Sequence, residues 1–129
     1  MSGAKNQKRE KNEICFPKDD TLMYEYRAYV RRVYDGDTIT VDIDLGFGVC
    51  LQKQKIRMSG INAPEVRGEE RQQGLLSRDA LREKISNKWV KIKTRKDKKG
   101  KYGRWIGEVW LDEVNVNQWL ITEGLAKPL

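Results

Sequence analysis

From Thr38 onwards the chain alternates: Ile39, Val41, Ile43 and Leu45 fall on one side, and Thr38, Thr40, Asp42 and Asp44 on the other. That period of two is the signature of a half-buried strand. Met23 to Tyr34, rich in Tyr, Val and Arg, predicts a strand before it, with Gly36 breaking the two at a turn. Gly46-Phe47-Gly48 predicts a second turn, and Val49 to Met58, where Ile56 and Met58 share a face, a third strand of an antiparallel meander. Gly60 to Arg67 (GINAPEVR) reads as a loop, because Pro64 fixes its own φ and biases Ala63 towards an extended backbone. Glu69 to Ile85 then carries Leu76, Ala80, Leu81 and Ile85 on one helical stripe. Gly74 inside that helix costs about 1 kcal/mol relative to Ala, so close packing or a bend is expected there.

Trp89 to Thr94 and Trp105 to Leu111 predict two further strands, with the segment RKDKKGKYGR (Arg95 to Arg104) between them. Val116 to Leu125 predicts a short helix with Gly124 as its stop signal. Three strands, a helix, two strands and a helix are the sequence order of an OB-type barrel. The fold expected is therefore mainly β with α: a five-stranded β-barrel with a helix after strand 3 and a C-terminal helix.

Length and charge narrow the function. A chain of 129 residues is long enough for one domain with a real core. Its net charge of +7, from 26 Lys and Arg against 19 Asp and Glu, fits either a polyanionic partner, nucleic acid before membrane, or a merely soluble basic surface. The absence of histidine removes Ser–His and Cys–His catalysis and every His-based zinc site. Cys15 and Cys50 cannot make a four-ligand zinc site, and reduced thiols are the default. Any chemistry must come from carboxylates, hydroxyls, Lys, Arg or a hard metal ion. The opening MSGAKNQKREKNEICFPKDD lacks the apolar stretch of a signal peptide, and no run is long enough to span a membrane. The expectation is a cytoplasmic protein, with residues 1–22 a mobile basic leader and 23–129 the folded domain.

Counting back by two from Ile39 places Asp37 on the apolar face. A carboxylate at the head of a core-facing row costs several kcal/mol unless it is met by a charge or a hydrogen bond. Two readings stand side by side: Asp-Gly-Asp-Thr is good turn chemistry, and a carboxylate at a barrel rim suits a hard cation. The segment IRMSGINAPEVRG adds Arg57 at a strand end, Asn62 and the Ala63 carbonyl in a loop, and Glu65 after a rigid proline. Oxygen donors, a carboxylate and a guanidinium in so short a span suit phosphodiester hydrolysis, although Arg57 and Glu65 also suit a surface ion pair. The basic segment from Arg95 to Arg104 is either a solvated face or a supplier of a second guanidinium, Arg104, to the same place.

DGDT, R-x-x-x-I-N-A-P-E, KYGR and VNQWLITEGLAK, in that order, resemble the staphylococcal nuclease-like (thermonuclease) family over Tyr26 to Lys127. The resemblance implies an OB-fold barrel and a Ca²⁺-dependent phosphodiesterase of DNA and RNA. It implies Asp37 as a calcium ligand, Asn62 where the family usually has a second aspartate, and Ala63 as a backbone-carbonyl ligand. It implies Glu65 as general base or water-orienting group, and Arg57 and Arg104 on the phosphate. Lys101 and Tyr102 match neighbours that contact a nucleotide phosphate, with Lys98 and Lys99 beside them. Asn62 drops one negative charge, and affinity in such sites follows ligand charge, so weaker Ca²⁺ binding is expected, with Mg²⁺ or Mn²⁺ as other candidates. The family's tyrosine-bearing segment and final helix fall beyond Leu129, so base stacking by those tyrosines is expected to be missing or replaced. The expected partners are DNA or RNA, with no membrane, no zinc and a monomeric state. The alternative is a catalytically weak or inactive nucleic-acid-binding module of the same fold.

Overall fold

Alternating apolar residues lay down the first three strands: β1 (Tyr24–Asp35), β2 (Thr38–Gly46) and β3 (Val49–Met58), an antiparallel meander in which Thr38 faces Arg57 and Ile39 faces Ile56. The structure, a computed structural model, describes residues 24–96 and 105–129. The predicted leader 1–22 lies outside the described residues, as do Lys98, Lys99, Lys101, Tyr102 and Arg104. The later elements are β4 (Ile61–Asn62), a 3₁₀ turn (Gly68–Glu70), α1 (Arg71–Ile85), β5 (Trp89–Lys96), β6 (Trp105–Leu111), β7 (Val114–Asn115), α2 (Val116–Thr122) and β8 (Lys127–Pro128).

The main sheet runs β3-β2-β1-β5-β6-β7, and β3 also pairs with β6 in parallel, Ile56 against Trp105 and Met58 against Gly107. That last pairing closes β1, β2, β3, β5 and β6 into the expected five-stranded barrel with two helices, and closure removes the exposed edges. Val30, Val33, Ile39, Val41, Ile56, Met58, Ile92 and Val109 fill its interior. Leu81 and Ile85 on α1, and Val116 and Leu120 on α2, are buried in the same core. Each such side chain contributes roughly 1.5–3 kcal/mol over an exposed one.

α2 ends as its glycine foretells. Gly124 takes φ 73°, Leu125 N–H donates to the Leu120 carbonyl and Gly124 N–H to that of Ile121, the pattern of a Schellman motif. The chain then returns to the site end of the barrel through β8, which pairs with β4, Ile61 against Pro128 and Asn62 against Lys127. The segment expected to be loop thus contains a two-residue strand, too short to register as an alternation.

Bulges change where side chains go. Val30 pairs with Val41 and Arg32 with Thr40, which leaves Arg31 as an extra residue in β1; Tyr34 is extra in the same way. On β3, Gln52 and Lys53 together oppose Asp42. Such bulges sharpen the twist and re-aim side chains. They also explain Asp42, which the alternation sends to the solvent side. It does lie on the outer face, yet it is buried, accepting hydrogen bonds from Arg31 Nε and the Lys53 amide.

Candidate active site at the β1–β2 turn

Gly36 and Asp37 form the turn between β1 and β2, and nothing larger than glycine fits the first position. A Cβ there would lie 2.7 Å from Ala63 Cβ and 2.9 Å from Ser77 Cβ, so glycine lets the 61–65 segment and α1 close over the turn. Asp35, not Asp37, caps the turn: its Oδ1 accepts the Asp37 amide at 3.0 Å. Asp37, only 6% exposed, turns its carboxylate elsewhere. Its Oδ2 accepts the Ala63 amide at 2.9 Å and its Oδ1 accepts the Thr38 hydroxyl at 3.1 Å.

The charged partner of this buried aspartate among the described residues is Arg57, whose Nη1 lies 3.5 Å from Asp37 Oδ2. The same nitrogen donates to the Met58 carbonyl at 2.9 Å, so a carboxylate and a carbonyl together hold the guanidinium. A backbone bond from the Met58 amide to the Asp37 carbonyl, 2.8 Å, locks the end of β3 to the turn. Asp37 is therefore in contact with both Arg57 and Ala63, twenty and twenty-six positions further along the chain.

Asn62 is exposed beside Ala63, in register with Lys127 across the β4–β8 pair. A cavity of about 290 Å³ opens there, lined by Asn62, Ala63, Gln73 and Lys127 among others. Glu65 is also exposed, with its amide donating to Glu70 Oε1 at 3.3 Å. Gly74 on α1 sets its position: a Cβ there would fall 1.9 Å from the Glu65 carbonyl oxygen. Close packing is the reason for a glycine inside the first turn of the helix.

Electrostatics join Glu65 to the turn. Burial pushes the Asp35 carboxyl up to about 6, the Asp37 carboxylate adds to the rise, and the Glu65 charge contributes as well. Arg67, which donates to the Tyr34 hydroxyl at 2.9 Å, is held charged first by that phenol and also by Glu65. The Asp35 carboxyl thus feels two other acids at one barrel end, with Asp37 buried beside it.

This donor set fits a hard cation. It is all oxygen, and a divalent ion would offset the like charge that adds to the effect of burial on Asp35. Among the described residues no three acidic side chains converge on one point, which accords with asparagine at position 62. For the charge that Asn62 drops, the sequence offers Asp35 as the compensating acid, since the alternation points Asp42 and Asp44 away from Asp37. Arg104, Lys98, Lys99, Lys101 and Tyr102 lie outside the described residues, so their relation to the turn is not part of this geometry.

The model of the family described as staphylococcal nuclease homologue matches residues 55–128. The chain belongs to that family. It is 30% identical over 115 residues to a thermonuclease of Staphylococcus intermedius, a match covering 87% of this chain and 65% of that protein. It is 35% identical over 101 residues to a thermonuclease of Staphylococcus hyicus, covering 76% of this chain and 56% of that protein. The chain spans less than two thirds of the length of either relative. The stretch matched by the family model begins two residues before Arg57 and takes in Asn62, Ala63 and Glu65; the Asp35–Asp37 turn lies before it. No helix among the described residues is long and apolar enough to cross a membrane.

Proposed function

We propose that the chain is a divalent-metal-dependent phosphodiesterase that hydrolyses DNA or RNA with little sequence specificity. The observation that supports it most is the buried Asp37 carboxylate held between Arg57 and the Ala63 amide, with the Asp35 and Glu65 acids at the same barrel end. The thermonuclease relatives and the basic net charge point to the same substrate class.

Asp37, Asn62 and the Ala63 carbonyl would hold Ca²⁺, or Mg²⁺ or Mn²⁺, with Asp35 adding negative charge beside them. When bound, such an ion supplies charge neutralisation at the phosphate. The chain's own groups do the rest. Arg57 spends one N–H on the Met58 carbonyl and keeps others for a phosphoryl oxygen, where it offsets charge gained in the transition state. Arg104 is the second guanidinium in this reading, and Lys98, Lys99, Lys101 and Tyr102 contact the flanking phosphates. Glu65, exposed beside the turn, accepts the proton of the attacking water. Water oxygen bonds to phosphorus as the P–O5′ bond breaks; the 5′-oxygen takes a proton from solvent to leave as a hydroxyl, and 3′-phosphate ends remain.

A second reading, a nucleic-acid-binding module without turnover, draws on asparagine at position 62. Supercoiled plasmid and single-stranded RNA, incubated with the protein in Ca²⁺, Mg²⁺, Mn²⁺ or EDTA, separate the two. Nicking that needs a divalent ion and falls at least 100-fold in Asp37→Ala supports the nuclease. Retained DNA binding with no cleavage in any ion overturns it in favour of the binding module.

A further inference from the structure

On the outer face of the barrel, away from the β1–β2 turn, β1, β2 and β3 enclose a groove of about 450 Å³. Its lining includes Arg31, Arg32, Thr40, Asp42, Lys53 and Lys55. Two of the bulges build it. The one at Arg31 in β1 makes Arg31 and Arg32 consecutive outward residues, both exposed. The bulge in β3 turns Lys53 through φ 57° and aims its amide at Asp42. The groove's acid is already satisfied: Asp42 is held below the usual carboxylate range by the Lys53 amide first and by Arg31 second. Arg32, Lys53 and Lys55 are left without an ion-pair partner among the described residues.

Register shows where the groove leads. Arg32, Thr40 and Lys55 lie abreast across the three strands, and in the row two residues further along β2 and β3, three along the bulged β1, stand Asp35, Thr38 and Arg57. The step between rows is about 7 Å. Lys55 and Arg57 share the outer face of β3, so the cations form one path ending at the guanidinium on Asp37. Adjacent unpaired cations repel one another and cost free energy, and an anion with repeating charges would remove that cost. A single phosphate group cannot reach from Arg57 to Lys53; a polynucleotide strand can.

We propose that this groove is a subsite for the sugar-phosphate backbone of a nucleic-acid strand whose scissile phosphate sits at Arg57. Arg32 and Lys55 contact one phosphate beyond the turn, the Thr40 hydroxyl lies between them, and Lys53 contacts the next. The inference rests on the phosphodiesterase reading for the position of Arg57, but not for the existence of the groove. Its ligand is a polynucleotide, not a mononucleotide or free phosphate.

The test is Arg32→Gln/Lys55→Gln, with Lys84→Gln/Lys88→Gln as a variant that loses equal charge elsewhere. Binding of a fluorescent 20-nucleotide single strand is titrated in EDTA, so that no cleavage is needed, across a range of salt. The groove variant is expected to bind about tenfold more weakly, with the slope of log K against log salt shallower by about 0.7, the loss of the one phosphate that the two side chains share. Inorganic phosphate and a mononucleotide should compete poorly. The rate ratio between long DNA and bis(p-nitrophenyl) phosphate should also fall about tenfold. An unchanged affinity and slope, an equal loss in the Lys84/Lys88 variant, or equal competition by polyglutamate overturns the groove. If the wild type cleaves nothing yet the binding changes appear, the groove stands and the phosphodiesterase reading fails.

Discussion

Two aspartates that look alike on paper have opposite electrostatic fates in this fold. Asp35 is buried beside another carboxylate and rises to about 6. Asp42 accepts the Lys53 amide and the Arg31 guanidinium and is held below its ordinary value. A carboxyl whose folded pKa is depressed adds stability above its unfolded value, about 3.9. That stability disappears as pH falls through the folded value. Asp42→Asn should therefore lower Tm by a few degrees at neutral pH, with the deficit shrinking as the pH drops below about 4. Thermal melts of both proteins from pH 7 to pH 3 check this, and a deficit independent of pH would mean that packing, not charge, holds Asp42. The pair is modest because Arg31 is largely exposed; its consequence is to place a guanidinium over the barrel's outer face.

At the scale of elements, the 61–65 segment is held by backbone contacts as much as by side chains. Gly74 permits the Glu65 carbonyl to lie against α1, and Gly36 permits Ala63 to lie against the turn. Gly74→Ala must push that segment away, since backbone oxygen cannot rotate aside. It should cost about 1–3 kcal/mol and, by displacing Glu65, lower kcat at least tenfold. Chemical denaturation and steady-state kinetics on one preparation check both halves; wild-type kcat in a destabilised Gly74→Ala would show that the Glu65 position is not set by α1. The strands were legible because their apolar residues alternate: β3 and β6 have the bounds that Val49–Met58 and Trp105–Leu111 predict. Pairing of β4 with β8 was not, since two residues carry no period. Nor were the bulges, which depend on register between strands. Asn117 is equally silent in sequence. It is buried in α2, accepts the Val109 amide at 3.1 Å and donates to the Ser59 carbonyl at 2.8 Å. It ties α2 to β6 and to the turn after β3, a role only the closed barrel defines.

For the molecule as a whole, closing the barrel turns four separated stretches into one surface. Parallel pairing of β3 with β6 fixes the end of β3, and Arg57 meets Asp37 there. The β4–β8 pair brings the C-terminal turn against Asn62, and α1 supports Glu65 from behind. Asp37 was readable as out of place on an apolar face, and Arg57 and Glu65 as neighbours in sequence. That Arg57 would be the aspartate's charged partner was not readable, because the contact joins two strands at their ends. The measurement that bears most directly on the phosphodiesterase account is kcat for Glu65→Gln on single-stranded DNA in saturating Ca²⁺, with DNA affinity measured alongside. Glutamine keeps the shape of the side chain and removes its ability to take a proton. The account predicts a fall of about 10²–10⁴ in kcat with affinity unchanged, whereas cleavage by Glu65→Gln at the wild-type rate would contradict it.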